Sequence, residues 1–349
     1  MKKILANKYF AWYSILIVSL YVLISFVKSP GINGYERAMF PEMIYGTAWK
    51  PFVYRTLLPS AVRVISEAIP ESVHNALTSL VEKNSNFSLV LEKLKWESEH
   101  ITEYLIAMVL MYFSLIAFVI VFRKLFRTFY TSPDWFINLI SILMLFALPP
   151  MFMYYSYIYD FPTLFLFTTG LFLLKEKKWI YFLILFIIAC FNKETTILLT
   201  MIFAIHYYKN EEVDSKLYSR LIVVQLFIFA VAKVLLYFIF IDNPGTFVEF
   251  HLFDRNYLLF NGYSLSTYIA LLIIILAIFS RWNEKPKFLK DALWIALPLL
   301  VLTLFLGFID ELRDYYELFP IIFLLVSMNI AGILGVDEFD NKINSTSVV

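Results

Sequence analysis

The sequence has few charged residues and a single cysteine. Charged residues make up only 16% of the 349 positions, and the formal net charge of +1 gives no reason to expect nucleic acid as a partner. The lone Cys190 excludes an intrachain disulfide and provides no metal-ligand pattern. Hydrophobic residues account for 60% of the chain, which is more apolar surface than a soluble protein of this length can bury. The composition therefore predicts an integral membrane protein.

Ten apolar runs have the length of membrane-spanning helices or approach it, which predicts an all-α polytopic fold. The runs cover residues 9–27, 101–122, 135–147, 161–174, 179–191, 196–208, 221–241, 265–280, 292–308 and 321–336. Two of them, 161–174 and 179–191, are short, and could be tilted or partly re-entrant. We expect residues 1–349 to form one transmembrane domain.

The distribution of basic residues predicts the orientation of these helices. Of the 29 lysines and arginines, 17 lie in the terminal segments and loops that alternate onto one side of the membrane. The short loops on the other side contain only Lys193, Arg255 and Arg313. Basic residues in short loops mark the cytoplasmic side, so we expect both termini in the cytoplasm of an inner or plasma membrane. The first run is longer than a signal peptide requires and lacks a small-residue cleavage pattern, so we expect it to be retained.

Residues 28–100 form the long polar segment of the chain, and this topology makes it an extracytoplasmic loop. Apolar residues recur at helical spacing over 57–69, which predicts an amphipathic helix in the interface plane. A second amphipathic pattern over 75–94 is interrupted by polar residues at 83–86. We expect two further short helices there, packed over the membrane face.

The same topology collects mixed acids and bases on the outer side of the membrane. These residues are Glu36, Arg37, Arg55, Asp160, Lys193, Glu194, His251, Asp254, Arg255, Asp310, Glu311, Arg313 and Asp314. Arginine and lysine bind phosphate oxygens, and a carboxylate can remove the proton of an acceptor hydroxyl. The combination suggests transfer onto a hydroxyl group from a phosphate leaving group.

Four short motifs resemble those of bacterial polytopic proteins similar to the GT-C glycosyltransferases. The segment WKPFVYRTLLP at 49–59 resembles the signature PF-x-YR-x-L-x-P in their first outer loop. The pair Tyr159-Asp160, the element NKET at 192–195, where relatives often have arginine in place of Lys193, and the Glu-x-Arg motif of Glu311 and Arg313 fit the same group. The motifs together cover most of the membrane core.

This resemblance implies a polyprenyl-phosphate-linked sugar as donor, held in membrane lipid, and a glycan, lipid or protein as acceptor. It also implies an acidic base after the first span, usually an aspartate, whereas the nearby acids here are Glu36 and Glu42. We interpret Glu36 as the base and Asp160 as its rival. The catalytic candidates are Glu36, Asp160 and Glu194, and the substrate-binding candidates are Tyr54, Arg55, Lys193, Glu311 and Arg313.

Each candidate also has a purely structural interpretation. Arg55 could extend to the membrane interface, and Asp160 could cap a helix that begins with Pro162. Lys193 could pair with Glu194, and Asp310 with Arg313, as surface ion pairs. His251 fits a loop histidine better than a metal ligand. No ligand spacing requires a metal, although outer acids can bind a divalent cation, and the sequence implies no other cofactor.

Two other classes of function remain open at this stage. An O-antigen-type polymerase or ligase of lipid-linked glycans would share the topology and the donor. A transporter or flippase of a lipid-linked substrate would place charges deep within its spans, where Lys233 is the clearest example here.

Overall fold

The computed structural model describes residues 2–152, 154–246, 248–259, 265–336 and 339–341. The first nine α-helices are α1 Lys2–Ala6, α2 Lys8–Lys28, α3 Phe40–Tyr45, α4 Leu57–Glu67, α5 Glu71–Lys83, α6 Ser85–Leu94, α7 Ile101–Phe129, α8 Asp134–Phe146 and α9 Asp160–Lys175. They are followed by α10 Trp179–Cys190, α11 Leu198–Tyr207, α12 Ser215–Ile239, α13 Tyr257–Leu259, α14 Leu265–Phe279, α15 Lys287–Ala292, α16 Ala296–Leu306 and α17 Phe319–Ile333. The two-residue strands β1 Tyr130–Thr131 and β2 Asp340–Asn341 pair antiparallel.

A helix lies at each of the ten predicted apolar runs, which confirms the all-helical fold class. Five helical stretches are long and apolar enough to cross a membrane: Lys8–Lys28, Ser98–Phe129, Asp134–Met151, Ser215–Ile239 and Lys287–Leu306. Shorter apolar helices lie at Trp179–Cys190, Glu194–Tyr207, Tyr268–Phe279 and Phe319–Ile333. The structure thus supports a membrane protein with several spanning helices, and the total of ten spans stays a prediction.

Helix α7 forms the centre of the bundle and packs along α9. Its buried face follows helical spacing, with Tyr104, Ala107, Met111, Leu115, Phe118, Phe122, Leu125 and Phe129 all buried. Gly170 of α9 faces the side chain of Leu199 so closely that a Cβ atom there would lie 2.5 Å from Leu199 Cδ1. The glycine therefore allows the Leu199 side chain to pack directly against the α9 backbone, and a larger residue would displace it.

Helix α7 continues beyond the end predicted for its apolar run at residue 122. Arg123, Lys124 and Arg127 lie within its last two turns rather than in the following loop. Lysine and arginine are good helix formers, and their long side chains can reach the interface while the backbone stays helical. The hydrophobic pattern therefore marks the apolar part of the helix and not its end.

The helices of the outer segment follow the predicted pattern. Helix α4 covers most of 57–69, and α5 and α6 are separated at Asn84, whose side chain accepts a hydrogen bond from the Asn86 N–H at 3.0 Å. Asn33 anchors this segment to α7, since its Nδ2 donates to the Tyr104 hydroxyl at 2.7 Å and to the Lys95 carbonyl at 2.6 Å. The interruption at 83–86 is therefore a helix boundary, as its polar residues predict.

Two connections hold the segment that precedes Arg55. The Lys50 N–H donates to the Pro244 carbonyl at 2.8 Å, and Asn243 Nδ2 donates to the carbonyls of Gly46 and Ala48, both at 2.9 Å. Gly245 has φ +91°, and a Cβ atom at that position would lie 2.6 Å from the Lys50 carbonyl oxygen. The turn after α12 therefore lies directly against the first outer loop.

Candidate functional site

Four segments that are distant in sequence bring their charged side chains together at one end of the bundle. They are the turn before α4, the start of α9, the connection between α10 and α11, and the loop before α17. We call their charged residues the ionic cluster, which consists of Arg55, Asp160, Lys193, Glu194, Glu311, Arg313, Asp314 and Glu317. The sequence predicted six of these residues as candidates for the site.

Arg55 and Glu194 form the part of the ionic cluster that reaches the surface. The Arg55 guanidinium pairs with both carboxylate oxygens of Glu194, with Nη2 to Oε1 at 2.5 Å and Nε to Oε2 at 3.3 Å. Nη1 donates to the Tyr159 hydroxyl, and the guanidinium lies 4.5 Å from the Tyr159 ring centre. The Arg55 side chain is 9% exposed, whereas that of Glu194 is 40% exposed. Glu194 is therefore the member of this pair that an external anion could displace.

Arg313 is buried among three carboxylates. Its Nε donates to Glu311 Oε1 at 2.6 Å, Nη1 lies 3.7 Å from Asp160 Oδ1, and Nη2 lies 3.9 Å from Asp314 Oδ1. Neither Nη1 nor Asp160 Oδ1 makes a hydrogen bond within the described part of the chain. Unsatisfied buried polar atoms are rare in native structures, which makes this pair a candidate contact for a bound group.

Lys193 and Glu317 form the most deeply buried ion pair of the ionic cluster. Lys193 Nζ lies 3.3 Å from Glu317 Oε1, and the two side chains are 4% and 0% exposed. The Thr195 hydroxyl donates to the same carboxylate oxygen. Beside this pair is a small cavity of about 10 Å³ lined by Asn192, Thr195 and Glu317 among others, a volume close to that of one water-sized sphere.

The ionic cluster contains more acids than bases. Five carboxylates face three cations, and all except Glu194 and Asp314 are buried. Unpaired negative charge is costly in a desolvated environment, so protons or a bound cation must offset the excess. Burial raises the pKa of Glu311 and so favours its protonated form. The positive charge of Arg313 opposes this shift but does not cancel it. Glu311 is therefore an acid of the ionic cluster at which burial favours an added proton.

Aromatic rings extend from the ionic cluster toward the outer loop. Tyr159 stacks on Tyr157 with ring centres 5.2 Å apart, and Tyr157 stacks on Phe52 at 5.3 Å. Phe52 and Tyr155 both contact Tyr35, at 5.3 and 4.7 Å between ring centres. Tyr157 and Tyr159 are buried and the other three rings are half-buried. We call these five rings the aromatic wall, and it ends next to Glu36.

Glu36 lies outside the ionic cluster. It is exposed, at the start of a short 3₁₀ helix that covers Glu36–Ala38, and it makes no ion pair or side-chain hydrogen bond among the described contacts. It follows Tyr35 at the outer end of the aromatic wall. Asp160 is instead 0% exposed, and its Oδ2 accepts a hydrogen bond from the Tyr157 N–H at 3.0 Å. Of the two rival bases, only Glu36 is open to an acceptor that comes from solution.

Several of the structural interpretations are wrong. Arg55 does not extend to the interface but is buried and paired. Asp160 does not cap α9, because the helix begins at Asp160 itself and the cap position is Tyr159. This interpretation began the helix at Pro162, whereas α9 begins two residues earlier, at Asp160.

The predicted surface ion pairs are also wrong. Lys193 and Glu194 do not pair with each other, since Lys193 contacts Glu317 and Glu194 contacts Arg55. Lys193 has extended backbone angles, φ −155° and ψ 144°, which direct consecutive side chains to opposite sides. Arg313 pairs with Glu311 and not with Asp310.

Asp310 belongs to a second polar group beside the ionic cluster. It accepts a hydrogen bond from the Tyr154 hydroxyl, and its Oδ1 lies 3.8 Å from Arg255 Nη2. Burial and this hydrogen bond raise the pKa of Tyr154. His251 contacts Asp254 at 3.1 Å in the same loop, as expected for a loop histidine.

Tyr54 is buried against the ring of Phe240 rather than placed among the charges of the ionic cluster. Glu317 was missed by the sequence reasoning, although it continues the acidic stretch that contains Asp310, Glu311 and Asp314. Tyr157 was missed as well.

In the residues that the structure describes, three carboxylates of the ionic cluster do not come within 4.8 Å of one another as a ligand group. In the described part of the chain, the set of three potential ligand groups within 4.8 Å of one another is Glu97, Glu99 and His100, which lies in the outer loop and has both glutamates exposed. Such exposed acidic groups are common without a metal. The acids of the ionic cluster instead contact arginine and lysine side chains.

The GT-C resemblance depends on four motifs, and each of them contributes at least one residue to the ionic cluster. The structure brings these motifs together, although they are separated by as many as 258 positions, from residue 55 to residue 313. A comparison with protein-family models, with curated proteins and with solved structures found no match.

Proposed function

We propose that the protein is a membrane glycosyltransferase that uses a polyprenyl-phosphate-linked sugar and acts on the extracytoplasmic face. The acceptor hydroxyl oxygen forms a bond to the anomeric carbon of the sugar while its proton passes to a carboxylate. The bond between that carbon and the phosphate oxygen breaks, and polyprenyl phosphate leaves with the electron pair. Atoms and charge balance without a further reactant.

The observation that carries this proposal is the convergence of Arg55, Lys193 and Arg313 in one buried cluster whose Glu194 side chain is 40% exposed. A phosphate at this edge would replace the Glu194 carboxylate on Arg55, whose planar guanidinium binds two phosphate oxygens as it binds two carboxylate oxygens. In this role Glu194 holds Arg55 in place until the donor binds.

The other residues have distinct roles in the proposed reaction. Glu36 removes the acceptor proton, since it is exposed and lies at the outer end of the aromatic wall. Ring faces of the aromatic wall bind the apolar face of the sugar. Asp160 and Glu311 position Arg313.

The excess of carboxylates makes a prediction about proton uptake. A donor phosphate adds negative charge to a cluster that already has five acids and three bases, so binding must be accompanied by proton uptake or by a cation. If protons are taken up by the carboxylates when the donor binds, donor affinity should fall as the pH rises. Calorimetry in two buffers of different ionisation enthalpy measures the protons taken up, and EDTA removes divalent cations. A donor affinity that does not depend on pH but is lost in EDTA would show that a divalent cation, and not protons, neutralises the added negative charge.

The test uses the purified protein in nanodiscs with a panel of polyprenyl-phosphate-linked sugars. We expect polyprenyl phosphate to be released from at least one donor when acceptor is present. Arg55→Ala should weaken donor binding at least tenfold, because it removes the guanidinium that binds the phosphate in this proposal. Arg63→Ala is the matched control, since Arg63 is in the same outer segment but outside the ionic cluster. No release from any donor, together with equal binding by both variants, would refute the proposal.

The second candidate function is transport of a lipid-linked substrate, and the carboxylate excess favours it. Buried acids that exchange protons are typical of proton-coupled transporters. The same nanodisc preparation separates the two functions, because a transporter binds the donor and leaves its glycosidic bond intact. In liposomes, movement of an intact donor that depends on a pH gradient would favour transport over transfer.

A further inference from the structure

A second charged site lies at the opposite end of the bundle. Helix α9 begins at Asp160 in the ionic cluster and ends at Lys175, whose amine lies 5.6 Å from the ring centre of Phe129 at the end of α7. Near that end, residues of α1, α2, α7 and α8 line an open cavity of about 410 Å³. We call it the basic cavity. Its volume is within the range of about 300 to 1,000 Å³ that is usual for small-molecule sites.

Four basic side chains line the basic cavity, and one acid accompanies them. The basic residues are Lys8, Arg123, Lys124 and Arg127, and the acid is Asp134, which pairs with Arg127 at 2.7 Å. Three cations are therefore left without a carboxylate partner among the described contacts of this cavity. The local excess of positive charge favours an anionic ligand.

Arg123 is held in place by its surroundings. It is half-buried, its Nη1 donates to Asn138 Oδ1 at 2.5 Å, and its guanidinium lies 5.3 Å from the Trp12 ring centre. Asn138 is itself buried and donates from Nδ2 to the Leu5 carbonyl at 2.7 Å. A basic residue that served only to set membrane orientation would need no such fixed environment. The cavity therefore has a rigid polar base.

Two apolar residues that line the basic cavity, Trp12 and Ile120, lie on the side toward the membrane interior. Trp12 follows Lys8 by one helical turn in α2, and Ile120 precedes Arg123 by one turn in α7, so both are displaced from the basic residues in the direction of the predicted hydrocarbon. Ile120 is exposed on the bundle surface. This arrangement fits a ligand with an anionic head and an apolar tail.

We propose that the basic cavity binds the phosphate headgroup of an anionic membrane phospholipid, with an acyl chain along Trp12 and Ile120. Basic pockets between spanning helices on the cytoplasmic side bind anionic headgroups in this way. The charge distribution of the sequence predicts that this end of the bundle is cytoplasmic. The site is separate from the ionic cluster, so it is independent of the proposed glycosyl transfer.

The experiment measures lipid binding to the full chain by native mass spectrometry in detergent, with phosphatidylglycerol, phosphatidylcholine and inorganic phosphate as probes. We expect phosphatidylglycerol to bind at least tenfold more tightly than phosphatidylcholine. The double variant Lys8→Gln/Lys124→Gln should lose at least tenfold in phosphatidylglycerol affinity. Both lysines are exposed, so the fold should be retained.

The matched control is Lys209→Gln/Lys216→Gln, which removes two exposed lysines from another predicted cytoplasmic loop. It should leave phosphatidylglycerol binding unchanged. An equal loss of phosphatidylglycerol affinity in both double variants would refute a defined site. It would show that the lipid is attracted by the total positive charge of the protein surface. Equal binding of the two lipids would refute headgroup charge as the determinant. Displacement of phosphatidylglycerol by millimolar inorganic phosphate would show that the cavity binds free anions, which also overturns the lipid assignment.

Discussion

Replacement of Lys193 by methionine tests whether the buried ion pair with Glu317 is formed as described. The change keeps most of the side-chain volume but removes the charge. Glu317 is 0% exposed and would retain only the hydrogen bond from Thr195 among its described partners. Removal of one partner from a buried ion pair typically costs about 3 to 5 kcal/mol, because the remaining charge has no solvent. We expect Lys193→Met to lower the free energy of unfolding by about 3 kcal/mol, which is the lower end of that range.

Two further variants isolate the cause of this loss. Glu317→Gln combined with Lys193→Met removes the stranded charge and keeps an acceptor for the Thr195 hydroxyl, so it should regain at least half of the lost stability. Lys177→Met is the control, because its partner Glu212 is 52% exposed and surface ion pairs contribute about 0 to 1 kcal/mol. Denaturant titration in mixed micelles measures all three. Equal stability of Lys193→Met and Lys177→Met would refute the buried pair.

Two other predictions concern orientation and the loop before α17. In a Cys190→Ser background, a cysteine placed beside Lys193 should react with an impermeant maleimide from outside the cell, and one beside Lys177 should not; the reverse pattern would invert the topology and the proposed site. Asn256 is buried and donates through Nδ2 to the carbonyls of Thr303, Leu304 and Gly307 at 3.0, 2.7 and 2.9 Å. Asn256→Asp places a carboxylate oxygen against these carbonyls, and we expect a loss of at least about 2 kcal/mol in the same unfolding assay. Stability equal to that of the unmodified protein would contradict this role for Asn256.

The positions of the helices were largely predictable from the sequence, because a bilayer requires long apolar helices whose backbone groups are satisfied internally. The amphipathic pattern also predicted α4 and the break between α5 and α6. The assembly of the four motifs followed from one physical argument. Once basic loops set the orientation, Arg55, Asp160, Lys193 and Arg313 fall on the same side.

The pairing of charges within the ionic cluster was not predictable in the same way. Neighbours in sequence such as Lys193 and Glu194 have partners more than a hundred positions away, and their directions depend on an extended backbone at one residue. Glu317 continues the acidic stretch that contains Asp310, Glu311 and Asp314, but the sequence does not show that it is buried against Lys193. Burial decides which acids interact, and burial depends on tertiary packing.

The most direct test of the account is a transfer assay with purified Glu36→Gln and Asp160→Asn, together with their affinities for the donor. Correctly placed general-base catalysis contributes about 10² to 10⁴ in rate, so Glu36→Gln should lose turnover on that scale and keep donor binding. Asp160→Asn should lose less, because it acts through the position of Arg313. An active Glu36→Gln with an inactive Asp160→Asn would assign the base to Asp160. Full activity in both variants would contradict general-base glycosyl transfer at this site.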